Sequence, residues 1–182
     1  MCWNIKAGSS CCRANNGVQR LTILHLDGDA LSQALRSGIH NVIGDQSFLN
    51  KINVFPVADG DTGTNLSLSL SAALGVLQAP GEKHLGTMLA ATADALLDGA
   101  RGNSGAIMAQ FFQGLSDSAG ELSKFTTATF SKAVRTGSDY AHDALSNPQE
   151  GTILSVIADF ASSMEHRAKG TNPGNFADLL TD

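Results

Sequence analysis

Residues 52–66 read INVFPVADGDTGTNL, and no other stretch limits the folding of this chain so sharply. Two carboxylates one residue apart, two glycines, two threonines and an asparagine are compressed into a turn, and an apolar helical pattern begins where the turn ends. Gly60, between Asp59 and Asp61, has no side chain and tolerates unusual backbone angles, so both carboxylates can point at one place. Carboxylates converging on a small volume repel each other unless a cation lies between them, and oxygen-only ligation suits Mg²⁺ better than Zn²⁺. Gly63 would then let a bound group approach closely. A plainer reading stays open on this stretch alone: Asp61 or Thr62 can cap the following helix, and Asp-Gly-Asp is a common turn composition. An EF-hand loop is excluded. Counted from Asp59, its fifth, sixth and twelfth positions are Gly63, Thr64 and Leu70, where Asp or Asn, Gly and Glu are required.

The 182 residues are enough for one domain with a real core, whereas two domains would each be small. Residues 1–20 show no periodicity and read as a flexible extension, which leaves residues 21–182 as the folded domain. The net charge of −5, with Lys and Arg scattered singly, argues against a nucleic-acid surface. Aromatic residues make up only 5%, while Ala, Leu, Ser and Gly are frequent, which suits closely packed helices. No apolar run approaches the ~20 residues that span a bilayer, and the N-terminus lacks a charged region followed by an apolar one. The expectation is a cytoplasmic protein. Cys2, Cys11 and Cys12 form no ligand or disulfide pattern, and the five histidines show no zinc spacing.

Helical spacing appears first at Leu31, Ala34, Leu35, Ile39, Val42 and Ile43, with Asp27 or Asp29 as cap. Asp27-Gly28-Asp29 lacks the Thr-Gly-Thr-Asn continuation and reads as that cap. A second helix carries Leu66, Leu70, Ala73, Leu74 and Leu77 on one face and stops before Pro80-Gly81. A third spans 84–98, with Leu85, Met88, Leu89, Thr92, Leu96 and Leu97 inward. Residues 99–105 then read GARGNSG and open the apolar helix AIMAQFFQGL. Glycines at every third position, followed by Asn103 and Ser104 at a helix start, leave backbone N–H groups able to face an anion, and the positive end of the helix dipole points the same way. Gly102 and Gly105 would matter there as backbone donors. The alternative is a helix C-cap at Gly99, an N-cap at Asn103 and close helix packing at the glycines. Neither a Walker A loop nor the dinucleotide Gly-x-Gly-x-x-Gly fits.

A long helix is expected over 124–145, ended by Asn147-Pro148. The turn PQEGT precedes another over 153–164; its Glu150, Gly151 and Thr152 either cap that helix or face the same site, and the local pattern favours the cap. Residues 176–180 start a last helix. The total is about seven to eight helices with no convincing strand, an all-α, up-and-down antiparallel bundle or barrel. Its turns at 53–65, 99–105 and 148–152 are separated by even numbers of helices, so connectivity puts all three at one end.

The motifs NVFPVADGDTGTN, GARGNSG and EGTILSV, in this order and spacing, resemble the ATP-binding domain of bacterial fatty acid kinase and, more distantly, the L-type domain of the dihydroxyacetone (glycerone) kinases. The resemblance runs from about Leu26 to Asp182. It implies a helical barrel with ATP and two Mg²⁺ ions at one mouth, Asp59 and Asp61 holding the metal and so serving as the catalytic pair. Thr62, Gly63, Thr64 and Asn65 of the first turn, Gly102, Asn103, Ser104 and Gly105 of the second, and Thr152 of the third correspond to positions around the nucleotide. Glycerone kinases place a third aspartate upstream in this motif. The nearest residue here is Asn53, offset by one, a neutral amide and a weaker ligand for a hard cation. Their histidine after the second aspartate is Thr62 here, and both departures favour the fatty acid kinase branch. Arg101 would add positive charge or stand as an exposed structural residue.

The same resemblance implies that this is the nucleotide half of a two-component kinase, with its acceptor on a partner: an acyl-carrying fatty-acid-binding protein or a substrate-binding kinase subunit. A further Gly-rich segment is expected beyond Asp182, and a homodimer is one assembly such a domain could form. A non-catalytic nucleotide-binding or regulatory module is the competing reading. Retention of both aspartates and of the Gly-Asn-Ser-Gly turn favours activity.

Overall fold

The computed structural model describes residues 22–79, 84–170 and 174–180. Eight helices occur among them: α1 (Gly28–Gly44), α2 (Gln46–Ile52), α3 (Thr62–Gln78), α4 (Leu85–Gly99), α5 (Gly102–Ala119), α6 (Thr127–Asp143), α7 (Ile153–Ala168) and α8 (Phe176–Leu180). Two strands of two residues, β1 (Leu26–Asp27) and β2 (Lys124–Phe125), pair antiparallel, with Leu26 opposite Phe125. The all-α bundle expected from the sequence is what forms. The expectations for residues 1–20, the three cysteines and the Pro80-Gly81 helix stop fall outside the described residues.

Sequential helices pack on one another from α3 through α7, and both α1 and α2 lie against α3. The faces that repeat at helical spacing are the ones buried: Leu70, Ala73 and Leu77 of α3, Leu85, Leu89 and Leu96 of α4, and Ile107, Phe111 and Leu115 of α5. Full burial of a Leu or Phe contributes about 1.5–3 kcal/mol against conformational entropy, so this face is the main stabilising term. Small residues let helices approach closely. A Cβ at Gly114 would lie 2.7 Å from Gly137 Cα, and one at Gly137 2.7 Å from Phe111 O, so the α5–α6 crossing depends on both glycines. Edge-on rings link β2, α6 and α8: Phe125 to Phe130 at 5.7 Å and Phe130 to Phe176 at 5.6 Å. The segment before β1 is tied to the start of α8 as well, since Phe176 N donates to Ile23 O and Ile23 N to Asn175 Oδ1, each at 2.8 Å.

Local rules explain the helix starts. Asp27 caps α1 by accepting from Ala30 N at 2.9 Å, the capping role expected for Asp27-Gly28-Asp29. The helix expected from residue 124 begins later because Lys124 and Phe125 pair as β2 and Thr126 forms a reciprocal capping box with Thr129. α2 went unread in the sequence because none of its residues is buried and no apolar stripe marks it. Leu97, expected inward, is exposed on α4.

Candidate functional site

The residues of the first turn are held by α2. Gly63 is buried, and a side chain there would overlap Gln46 O and meet Leu49 Cβ at 2.8 Å; the close approach it permits is that of α2 on α3. Thr64 is tied to the same helix. Its Oγ1 accepts from Asn50 Nδ2 at 2.9 Å and from Gln46 Nε2 at 3.2 Å, and its backbone N–H donates to Asn50 Oδ1 at 3.0 Å. Gly60 sits over the end of α2 with φ +66°, a conformation that favours glycine. The chain between α2 and α3 leaves Val54, Phe55 and Val57 exposed.

Asp59 and Asp61 are both exposed. Asp61 occupies the N-cap position of α3, yet its side chain makes no capping hydrogen bond. Asp59 Oδ1 accepts from Asn53 Nδ2, which brings Asn53 to the first carboxylate and leaves the amide oxygen of Asn53 able to ligate a cation. Thr62 is half-buried in the first turn of α3. The donors here are therefore two carboxylates and an amide. Among the described residues no group of three or more His, Cys, Asp and Glu side chains gathers in a metal-binding arrangement. Two carboxylates with an amide suit a hard ion that keeps several waters and takes further oxygens from a phosphate, which is the habit of Mg²⁺.

The second turn is joined to the first through α3. Ser69 Oγ donates to Asn65 O at 2.7 Å and accepts from Arg101 N at 2.9 Å. Gly102, at φ +59°, lies against the Asn65 side chain, and Gly105 is buried where a side chain would overlap Ser69 Oγ. Arg101, not Asn103, holds the N-cap position of α5, and no side chain caps this helix. The N–H of Gly105 is already used, donating to Arg101 O at 3.0 Å. The donors left at this helix start are the N–H groups of Gly102, Asn103 and Ser104. Asn103 is exposed, whereas Ser104 is buried, so it is backbone more than hydroxyl that faces outward here. The exposed Arg101 side chain donates to Ala100 O at 2.8 Å.

The third turn keeps its hydrogen bonds to itself. Thr152 Oγ1 accepts from Leu154 N at 3.3 Å and donates to Gln149 O at 2.8 Å, while Ser155 Oγ accepts from Gly151 N and donates to Glu150 Oε2. Thr152 is thus the N-cap of α7, the role the local pattern favours. The structure links the first two turns through Asn65, Ser69, Arg101 and Gly102, and among the described residues no such link reaches Thr152.

Three contributors escaped the sequence reading. Gln46 and Asn50 were invisible because α2 was. Ser69 carries a signal in hindsight: a serine on the buried face between Leu66 and Leu70, four residues after Asn65.

Comparison with known proteins matches residues 56–181 to the model of the DAK2 domain. Protein YloV of Bacillus subtilis is 37% identical over 141 residues, 78% of this chain and 26% of that protein. Uncharacterized proteins of Staphylococcus saprophyticus (SSP1546) and Staphylococcus aureus (SAB1090) are 33% and 31% identical over 147 and 149 residues, 81% and 82% of this chain. This chain covers 27% of each of those two, so it spans about a quarter of the length of the curated relatives it matches. Because the family model covers well over half of the chain, and includes both aspartates and the Gly-Asn-Ser-Gly turn, the chain belongs to the DAK2 domain family, of the dihydroxyacetone kinase type.

Proposed function

We propose that this chain is the Mg-ATP-binding domain of a two-component kinase, one that passes the γ-phosphoryl group of ATP to an acceptor held on a partner protein. The observation that carries the reading is the junction of the two turns: Ser69 bridges Asn65 and Arg101, so the start of α3, where Asp61 stands, and the uncapped start of α5 form one unit. Kinases of this family use ATP in general, and both halves of the unit suit it. The N–H groups of Gly102, Asn103 and Ser104, at the positive end of the α5 dipole, would receive phosphate oxygens. Asp59 and Asp61, with Asn53 beside them, would hold magnesium, and Thr62 and Asn65 would line the space between. Magnesium, when bound, neutralises the charge on the phosphates. The chain's own residues position the nucleotide; they need supply no nucleophile, because phosphoryl transfer depends mainly on alignment and charge stabilisation.

A fatty acyl carboxylate carried by a fatty-acid-binding partner is the acceptor we favour, ahead of dihydroxyacetone on a kinase subunit, because Thr62 replaces the histidine expected of the glycerone branch and Asn53 its third aspartate. The test is calorimetric titration of ATP with and without Mg²⁺. Binding that is tightened by Mg²⁺ is expected; indifference to the metal in the wild-type chain would remove the reading.

A further inference from the structure

Asp61 stands where a helix N-cap stands, and aspartate is among the best capping residues, yet its carboxylate does not cap. Its backbone, at φ −118° and ψ −2°, is not the extended one of the capping residues Asp27, Thr126 and Thr152, and a neighbouring helix supplies the cap instead. An N-cap side chain ordinarily satisfies the N–H of the second or third helical residue, here Gly63 or Thr64, and the Thr64 N–H already donates to Asn50 Oδ1 of α2 at 3.0 Å. The other end of the same amide holds Thr64 from the side, Nδ2 donating to Oγ1 at 2.9 Å. Asn50 therefore meets both the backbone N–H and the hydroxyl oxygen of Thr64 and does the capping in place of Asp61. Gly63, buried against Gln46, Leu49 and Asn50, lets α2 come near enough for this exchange.

We infer that Asn50 is a positioning residue for the site: by capping α3 from outside, it keeps the Asp61 carboxylate from turning inward and so holds it outward as a metal ligand. The inference rests on the metal-binding reading of Asp61 proposed above and adds a residue outside the Asp-Gly-Asp motif. With Asn50 removed, the Thr64 N–H is left without an acceptor, and the nearest carboxylate in capping register is that of Asp61. A ligand recruited to cap a helix is lost to the metal. Residues that orient metal ligands are commonly worth 10–100-fold in metal affinity, so the expected effect of Asn50→Ala is on the order of tenfold.

The test is ATP binding by the full chain in Mg²⁺ and in EDTA, for wild type, Asn50→Ala, Gln46→Ala, Asp61→Asn and the Asn50→Ala/Asp61→Asn double variant. Asn50→Ala should weaken binding in Mg²⁺ about tenfold and leave binding in EDTA unchanged. Gln46→Ala removes only a donor to Thr64 Oγ1 and should leave both unchanged, although it disturbs the same α2–α3 contact. In the Asp61→Asn background, Asn50→Ala should cost nothing further. A crystal structure of Asn50→Ala should show an Asp61 oxygen on Thr64 N. Should that variant fold poorly, Asn50→Asp keeps an acceptor for the Thr64 N–H and should keep Mg²⁺-dependent binding. Equal losses in Mg²⁺ and EDTA, additive losses in the double variant, a tenfold loss in Gln46→Ala or collapse of binding in Asn50→Asp would each overturn the inference. A wild-type chain indifferent to Mg²⁺ would overturn the site itself, and the inference with it.

Discussion

Glycine and serine, the smallest residues at the junction, set what the two turns can do. Gly105 meets Ser69 Oγ, and that oxygen also takes the Arg101 N–H. Gly105→Val should therefore push α5 off α3 and break a hydrogen bond together, an overpacking cost of about 1–3 kcal/mol that a thermal melt would register. Ser104→Ala, which removes one buried hydroxyl, should cost on the order of 1 kcal/mol or less. If the two variants melt alike, Gly105 is not packed as described. Asp61→Asn separates function from stability in the opposite sense. Its exposed carboxylate makes no capping bond, so the melt in EDTA should be unchanged, while Mg²⁺-dependent ATP binding is lost. Normal Mg-ATP binding by the mutant would sink the assignment. What the sequence disclosed at this scale was residue type and spacing: Asp59, Asp61 and the glycines were visible in it. It could not show which partner each would meet, so Gly63, read as room for a bound group, proves to be packed against α2, and Gly105, read as a backbone donor or a point of close helix packing, lies against Ser69 of α3.

Among the elements, those with a buried apolar stripe were legible and those without one were not. The stripes of α3, α4 and α5 could be counted from the chain; α2, with nothing buried, could not, and the roles of Asn50 and Gln46 vanished with it. β2 displaced the start of α6 because two residues of pairing and a Thr-x-x-Thr box lie below what periodicity resolves. Beyond these starts, the outer helices are held by polar links that titrate. Arg135 on α6 donates to both carboxylate oxygens of Glu165 on α7, at 3.1 and 3.0 Å, and to Ser162 Oγ at 3.1 Å. The Arg135 hydrogen bond holds the Glu165 carboxyl below its ordinary value of 4.5, and the same bond raises Arg135 above its own; the two directions agree. A lowered carboxyl pKa means that the folded state binds the proton less readily than the unfolded chain. The contribution is complete above the ordinary carboxyl value and is lost as pH falls below it. Glu165→Gln should lower the melting temperature slightly at neutral pH and by progressively less in acid. The shift should be small because both partners are about a third exposed. A wild-type-to-variant difference that grows toward low pH would refute the link.

At the level of the whole molecule, the fold was the most legible feature of all, since alternating apolar faces and polar turns leave an up-and-down bundle few rivals. The proposed partner was the least, because an acceptor held elsewhere would leave no residues in this chain to be read. No helix among the described residues is long and apolar enough to cross a membrane. Asp59, Asp61 and Asn103 are all exposed, so the site proposed on them is open to solvent. Alignment of the reacting groups and exclusion of water account for much of a kinase's rate. The chain alone should accordingly bind Mg-ATP and hydrolyse it far below the ~1–100 s⁻¹ typical of kinases. Adding an acyl-loaded fatty-acid-binding protein, together with the remaining three-quarters or so of a relative such as protein YloV, should raise ATP consumption and yield acyl phosphate in step with the ADP formed. Rapid phosphorylation of free dihydroxyacetone by this chain alone would refute the two-component scheme, because a single domain would then be binding and aligning both substrates. ADP release that rises with the partner but leaves no acyl phosphate would instead retire the acyl acceptor while keeping the nucleotide site.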